Sequence, residues 1–408
     1  FLVARMYPVF VGPAATEPGG TSVALMVVAG VGAFTVVFAA TMGMPSMDIK
    51  KVLAYSTISQ LGYMYIGLGC FGYTVALFHL MTHAFFKALL FLGAGSVHHA
   101  THTYDMREMG GLRAKMPITR FTFLMGCLAL AGMIPFSGFW SKDAILGTAF
   151  LAHGWYYKLI FLMGLFGALL TAFYTFRMYC MVFEGEARDH HIYDHAHESP
   201  RAMTLPLQIL AVGAIFIGFV GIPFAGANLF GKLAEYSYKL RQGLSAEETA
   251  GLTAILMIVS LAVVTVGIWL AVNTYLKRRF RTPEEGGLRG VGLQPAYVAA
   301  SHLWYMNEFY TDLLVQPLMT ISAMIGDLDN LIIDGILVNG PAWLAVRFAR
   351  INDWIDRNIV DGLVRVVAGF SEELGLMFRN VQQGVVQVYA LIVFVSVFCL
   401  VIVMHFLR

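Results

Sequence analysis

The run Phe78-His-Leu-Met-Thr-His-Ala-Phe-Phe-Lys87 (FHLMTHAFFK) decides the fold. It sits inside residues 73–97, a stretch of 25 residues that is apolar enough to cross a bilayer, which takes ~20 residues. Yet His79, His83 and Lys87 recur at i, i+4 and i+8, so a helix places them on one face. A cation in hydrocarbon costs ~2.5 kcal/mol or more unless it faces protein or water. Such a stripe serves proton or ion relay, or bonding between helices. Lysine is a poor bonding group and a good titrating site, which favours relay.

The composition agrees. The 408 residues are 58% hydrophobic and 13% charged, with mean hydropathy +0.70. A soluble globular chain is about a quarter charged. No period-2 alternation points to a barrel, so the expected class is an all-α polytopic membrane protein. A net charge of +2 provides no nucleic-acid field. Cys70, Cys127, Cys180 and Cys399 stand singly in apolar segments and read as small core residues.

Nine spans are expected: 1–10, 21–41, 52–71, 73–97, 118–150, 155–183, 203–222, 252–276 and 386–406. The first reads as the end of a helix cut from a longer protein. Residues 118–150 would reach roughly 50 Å against a hydrocarbon core of about 30 Å. Pro135-Phe-Ser-Gly138 supplies an expected break. Broken helices at membrane depth line cavities, and transporters place ion sites there. Lys142 and Asp143 follow within two turns of the break; the alternative for Lys142 is a side chain snorkelling to the interface. Lys and Arg number twelve in the loops after even-numbered spans and three after odd-numbered ones, which puts the even ends in the cytoplasm.

Other features carry weaker signals. On residues 52–71, Ser56, Ser59 or Gln60, and Tyr63 share a face that either holds water or bonds a neighbouring helix. Asp48 is placed to cap that helix. Gly67-Leu-Gly-Cys-Phe-Gly72 fits GxGxxG but follows no strand, so the glycines read as a tight turn rather than a dinucleotide site. His190, His191, His195 and His197 crowd one loop, either as a zinc-binding tract or, more commonly, as a flexible interfacial loop. Residues 307–384 are amphipathic at helical spacing and too charged to span. They should rest on the interface or on a partner. As a helix, ~75 residues would reach roughly 110 Å. Pro317 and Pro341 must mark kinks or starts. An internal echo relates Asp329-Asn-Leu-Ile-Ile-Asp334-Gly to Asp356-Arg-Asn-Ile-Val-Asp361-Gly, offset by 27. It fits two similar contacts or a chance match.

These stretches resemble a known family. DIKKVLAYSTISQLGYM (48–64), FHLMTHAFFKALLFLGAGSV (78–97), GFWSKD (138–143) and HAHESP (195–200) are similar to subunit L, or chain 5, of proton-pumping NADH:quinone oxidoreductase, respiratory complex I. The related Mrp sodium/proton antiporter subunits share the first three. The charged segment followed by QQGVVQVYALIVF (382–394) resembles the lateral helix and terminal anchor that set subunit L apart. The resemblance implies residues 1–20 as the end of a truncated helix and loop, and 21–183 as a five-helix antiporter-like repeat with a half-channel. Residues 184–306 would be two further spans, 307–384 a lateral amphipathic helix and 385–408 a terminal anchor. It implies Lys142, beside Asp143, as the broken-helix lysine, and His79, His83 and Lys87 as the central hydrophilic axis. Flavin, iron–sulfur clusters and quinone would belong to other subunits, with none in this chain. The partners would be other membrane subunits, above all neighbouring antiporter-like ones contacted by the lateral helix. The location would be a bacterial inner membrane rather than a mitochondrial one. The chain would thus be a non-redox membrane subunit of a proton-translocating oxidoreductase.

A lysine in an apolar pocket keeps its charge at a cost, so Lys87, the histidines and Lys142 form coupled sites whose protons move when one charge changes. Protons would arrive along the Ser56/Ser59/Tyr63 face, pause on Lys87 and the histidines, and leave past Lys142 as redox events in partner subunits shift a charge. Two other readings are a sodium/proton antiporter subunit, against which the segment 307–408 argues, and a mechanical strut clamping neighbouring pumps.

Overall fold

The computed structural model describes residues 1–12, 22–221, 229–231, 246–277, 294–381 and 384–407. Thr21, Ile222, Lys232, Lys239, Arg241, Arg278, Arg279, Arg281, Arg289, Gln382, Gln383 and Arg408, which entered the span and charge readings, lie outside the described residues. The chain divides into two units, Phe1–Asn307 and Glu308–Arg408.

In the first unit the membrane helices are α1 (Val23–Gly43), α2 (Ile49–Gly69), α3 (Tyr73–Thr101), α4 (Pro117–Ala131), α5 (Ser137–Leu151), α6 (Trp155–Phe183), α7 (Arg201–Phe216) and α8 (Ala246–Val272). α1, α3, α6, the extension of α7 to Gly221, and Gly251–Leu276 are each long and apolar enough to cross a membrane. α2 matches α1 in length but carries Lys50, Lys51, Ser56, Ser59 and Gln60. It sits against α1 at a glycine crossing: a Cβ on Gly32 would lie 2.8 Å from the Gly62 carbonyl, and one on Gly62 would lie 2.8 Å from that of Gly32. Helices without a hydrophobic drive to associate use such close backbone approach. Asp48 caps α2, its carboxylate accepting from the Lys51 amide at 3.0 Å. Before α1, the short helix Tyr7–Val11 is tied to the bundle by the Tyr7 hydroxyl, which donates to the Leu68 carbonyl at 3.1 Å.

The long apolar stretch 118–150 does break, but earlier than the proline suggests. α4 stops at Gly132, whose φ of 89° suits glycine. The Gly132 and Met133 amides close the helix by bonding the Leu128 carbonyl at 3.1 and 3.0 Å. Pro135 bars continuation, and α5 begins at Ser137. The glycine therefore ends one helix and the proline precedes the next. Gly138 packs into the end of α4, and a Cβ there would fall 1.8 Å from the Ala129 carbonyl.

The loops after α1, α3 and α6 meet at one end of the bundle. The Ile49 amide donates to the Tyr104 carbonyl at 3.0 Å, Met106 to Met47 at 2.9 Å and Gly111 to Glu184 at 3.1 Å. One guanidinium nitrogen of Arg188 donates to the carbonyls of Met106, Met109 and Met181, each at 2.8 Å. At the edge of this junction, hydrogen bonds from Arg107 hold the Asp105 carboxyl below the usual carboxylate range. A depressed acid stabilises the fold above its unfolded value and loses that contribution as pH falls through the folded one.

The second unit is helical from Tyr310 to Val381, followed by the apolar helix Val386–Phe406. Pro317 falls in the first turn of Gln316–Leu328, and Pro341 near the start of Asn339–Ile355. Each proline thus stands in the opening turn of an α-helical stretch that continues directly from a π-helical one. The two echoed stretches wind alike, as π-helix at Asp329–Val338 and Asp356–Val360. Widening the helix frees a carbonyl, and in each copy an asparagine amide takes one four residues back: Asn330 to Gly326 and Asn358 to Trp354, both at 2.9 Å. Large apolar side chains such as Leu331, Phe348 and Phe370 are exposed.

Replacing Gly138 with Ala forces the α4 and α5 ends apart. The expected cost is ~1–3 kcal/mol, as for overpacking in a filled core, read as a lower thermal midpoint of the detergent-solubilised protein. An unchanged midpoint would contradict the close approach. Asp105→Asn should remove the acid-sensitive part of stability at the loop junction while leaving neutral pH little affected, checked by midpoints across a pH series.

Candidate functional site: a buried ionisable row

α3 turns His79, His83 and Lys87 into the bundle, at 0%, 7% and 5% exposure. α5 adds Lys142 and Asp143, each at 3%. Charges this deep are costly and need hydrogen-bond partners.

The Lys87 ammonium donates to the Leu53 carbonyl at 2.8 Å and to Ser56 Oγ at 2.7 Å, with its Nζ 5.3 Å from the centre of the Phe91 ring. Ser56 in turn reaches the same Leu53 carbonyl at 2.8 Å. A hydroxyl both gives and takes a proton, so Ser56 accepts from an ammonium or donates to a neutral amine without moving.

Lys142 uses the break. With α4 ended, the Leu130 carbonyl lacks its intrahelical partner, and Lys142 Nζ donates to it at 2.9 Å. The same ammonium lies 5.2 Å from the centre of the Tyr63 ring. This is an interior lysine rather than one snorkelling to the interface.

Between the lysines, His79 bridges two helices. Its Nδ1 is 2.9 Å from Ser141 Oγ and its Nε2 3.1 Å from Gln60 Oε1. Thr82 Oγ1 lies 2.8 Å from the same Ser141 hydroxyl. As an imidazolium, His79 donates on both sides. As a neutral ring it donates to Gln60 and accepts from Ser141, so either charge state is satisfied. His83 sits 6.2 Å from His79 ring to ring, edge-on to Phe86, and its buried Nε2 makes no hydrogen bond among the described residues.

The structure splits the polar face of α2. Ser56 and Gln60 serve Lys87 and His79. Ser59 instead donates to the Val36 carbonyl on α1 at 3.1 Å, and the Tyr63 hydroxyl to the Gly164 carbonyl on α6 at 2.6 Å. All four side chains thus bond neighbouring helices, the second of the two alternatives for that face. Nor do Lys142 and Asp143 pair: Asp143 Oδ1 accepts from Ser260 Oγ on α8 at 2.7 Å.

The histidine loop forms no group of three metal ligands among the described residues. Its conspicuous residue is Glu198. That carboxylate caps α4, accepting from the Ile118 and Thr119 amides at 2.7 and 3.2 Å and from the Thr119 hydroxyl at 2.6 Å. Ser199 then bonds Ser96 on α3 at 2.7 Å. Gly67–Gly72 closes a turn, Gly72 donating to the Gly67 carbonyl at 2.8 Å, with no strand among the described residues.

Sequence reading missed four contributors. Ser141 was visible beside Lys142, and Thr82 beside His83. Ser260 gave no signal, because its partner lies 117 residues away. Arg177, 1% exposed, donates to the Ser46 carbonyl and lies 5.9 Å from the Tyr275 ring, while its Nε and Nη1 have no hydrogen-bond partner among the described residues.

Together the interrupted helix and the interior row of cations and imidazoles define an antiporter-like membrane protein. The family model for the membrane region of NADH:quinone oxidoreductase and Mrp antiporters matches residues 2–171. Over those residues the chain belongs to that family. It is 37% identical over 436 residues to NAD(P)H-quinone oxidoreductase chain 5 of Picosynechococcus sp., covering 97% of this chain and 57% of that protein. It is 49% identical over 235 residues to NADH-quinone oxidoreductase subunit L of Rhodobacter capsulatus, covering 54% of this chain and 31% of that one. Thus the chain spans little more than half the length of the first relative and less of the second. The fold is also that of a chain in the Mrp complex structure from Dietzia sp. DQ12-45-1b, with TM-score 0.56 and 23% identity, covering 82% of this chain and 34% of the other.

Glu198→Ala should free the first turn of α4. Losing a helix cap costs ~1 kcal/mol, so the Ile118 and Thr119 amides should exchange hydrogen severalfold faster, as read by mass spectrometry. Unchanged exchange would mean that the carboxylate does not hold the helix.

Proposed function

We propose that this chain moves protons across a bacterial inner membrane as a non-redox membrane subunit of an NADH:quinone oxidoreductase complex. The observation that carries this reading is the pair of buried lysines, each held by a backbone carbonyl of a different helix and separated by a histidine whose two nitrogens are both engaged. A packing role alone would be met more cheaply by apolar side chains.

On this reading Lys87 and Lys142 are the sites that hold the proton. Ser56 lets Lys87 change charge without rearrangement. His79 passes a proton between the Gln60 and Ser141 sides, and His83, with a free ring nitrogen, is the hand-over point towards Lys87. Asp143 works at the α5–α8 contact. Because like charges within a few ångströms raise one another's cost, protonating one site expels the proton from the next. The drive is a charge shift in partner subunits, and flavin, iron–sulfur clusters and quinone belong to them. The exposed apolar faces of the second unit are suited to neighbouring membrane subunits or the bilayer interface.

A sodium/proton antiporter subunit is the second reading, favoured by the likeness of fold to the Mrp chain. The segment Glu308–Arg408, which a stand-alone antiporter does not need, weighs against it.

The test is Lys142→Ala in the full-length chain within the assembled complex, with proton uptake recorded alongside electron transfer. Uptake per electron should fall while assembly persists. Unchanged uptake takes Lys142 out of the path, and a response to sodium rather than to pH supports the antiporter reading. Lys87→Ala should do the same, and Lys87→Arg, which stays charged at any working pH, should fail to restore it.

A further inference from the structure

Asp143 and Ser260 form a contact that the proposed relay does not yet use. Asp143 lies on α5, directly after the broken-helix lysine, yet its carboxylate faces away from that lysine and meets α8. Ser260 Oγ lies 2.7 Å from Asp143 Oδ1 and 3.1 Å from the Met257 carbonyl, one turn back on its own helix. Ser260 is 7% exposed. It is the one polar side chain in Ala254–Val263, AILMIVSLAV. The other face of the same turns carries exposed Ile255, Ile258 and Val259. A polar group in a helix this apolar is expected to have a use.

A hydroxyl owns one hydrogen and two lone pairs, so Ser260 cannot donate to Asp143 and to Met257 at once. That leaves two complete arrangements. With the carboxylate ionised, Ser260 donates to Oδ1. With a proton on Oδ1, the new O–H donates to Ser260 Oγ, and the serine hydrogen turns to the Met257 carbonyl, a frequent acceptor for a helical serine. No heavy atom moves. The proton that forms the Oδ1–H bond comes from the relay and returns to it when that bond breaks, so no other reactant enters.

We propose that Ser260 is a positioning residue for Asp143: its reversible hydroxyl lets the buried carboxyl take up and release a proton inside the bundle. This rests on the proton-translocation reading. It makes α8, which follows the family-matched residues 2–171, part of the functional site rather than a neighbour of it.

The test uses the full-length chain in the assembled complex, in sealed membrane vesicles, with Ser260→Thr, Ser260→Val and Ser260→Ala. Thr and Val share a shape and differ in the hydroxyl. Proton uptake per electron is measured, together with the infrared C=O band of protonated Asp143, assigned by its disappearance in Asp143→Asn. Ser260→Thr should keep both. Ser260→Val and Ser260→Ala should lower uptake by about tenfold, the loss of one hydrogen bond to a charged group, and move the band to the higher frequency of an unbonded acid. If the Val variant does not assemble, the Ala variant carries the comparison. Val or Ala matching the parent in uptake and band overturns the proposal, as does Thr failing alongside Val. Lys142→Ala in the same vesicles separates the two levels. If that variant pumps normally, the translocation reading falls. If it stops pumping while the Ser260 variants are unaffected, only the role of Ser260 falls.

Discussion

A buried ammonium must find acceptors, and in a bundle of apolar helices the backbone is where they are. Regular helices offer few, since nearly every carbonyl is already taken. The break at Gly132 frees the Leu130 carbonyl, and Lys142 takes it. Much of the first unit can be read as support for that arrangement. Gly138 lets α5 start flush against the end of α4. Glu198 pins the far end of α4, and Ser199 ties the same loop to α3. Both ends of α4 are thus held, so the interruption does not loosen the rest of the bundle.

The second lysine is solved differently. Lys87 lies in an unbroken helix, so it borrows acceptors from α2, taking the Leu53 carbonyl and the Ser56 hydroxyl. α2 can supply them because it is the polar member of the bundle, and it can afford to be polar because a glycine crossing presses it against α1. Lys142 is therefore tied to a helix end and Lys87 to a helix side. The histidine between them touches α2 through Gln60 and α5, the helix that carries Lys142, through Ser141. Polar networks of this kind are costly when half-satisfied and rigid when complete. Among the described residues, the Nε2 atoms of His83 and of Gln60 have no hydrogen-bond partner, and there this one is incomplete.

Several alternatives left open by residue type were closed by geometry. The serine-rich face of α2 was divided residue by residue between the lysine–histidine row and neighbouring backbones. The GxGxxG match became a turn between two helices. In the histidine loop the residue with a visible structural part is Glu198, because the amides at a helix start favour a negative acceptor. In the second unit, both copies of the echoed sequence adopt the same wide winding and the same asparagine repair.

Some of this was decided by the chain alone. Apolar length fixes which segments can span, and helical spacing fixes that His79, His83 and Lys87 share a face, because both depend only on distance along one helix. Pro135 and the glycines around it announced an interruption, though its start fell to Gly132, since glycine adopts the left-handed stop that proline cannot. Tertiary structure alone decided the partners. Lys142 and Asp143 are adjacent in sequence, yet they point to different helices. Ser260 joins the site from 117 residues away. Contacts of that range depend on how helices rotate and stack, and no local pattern records them.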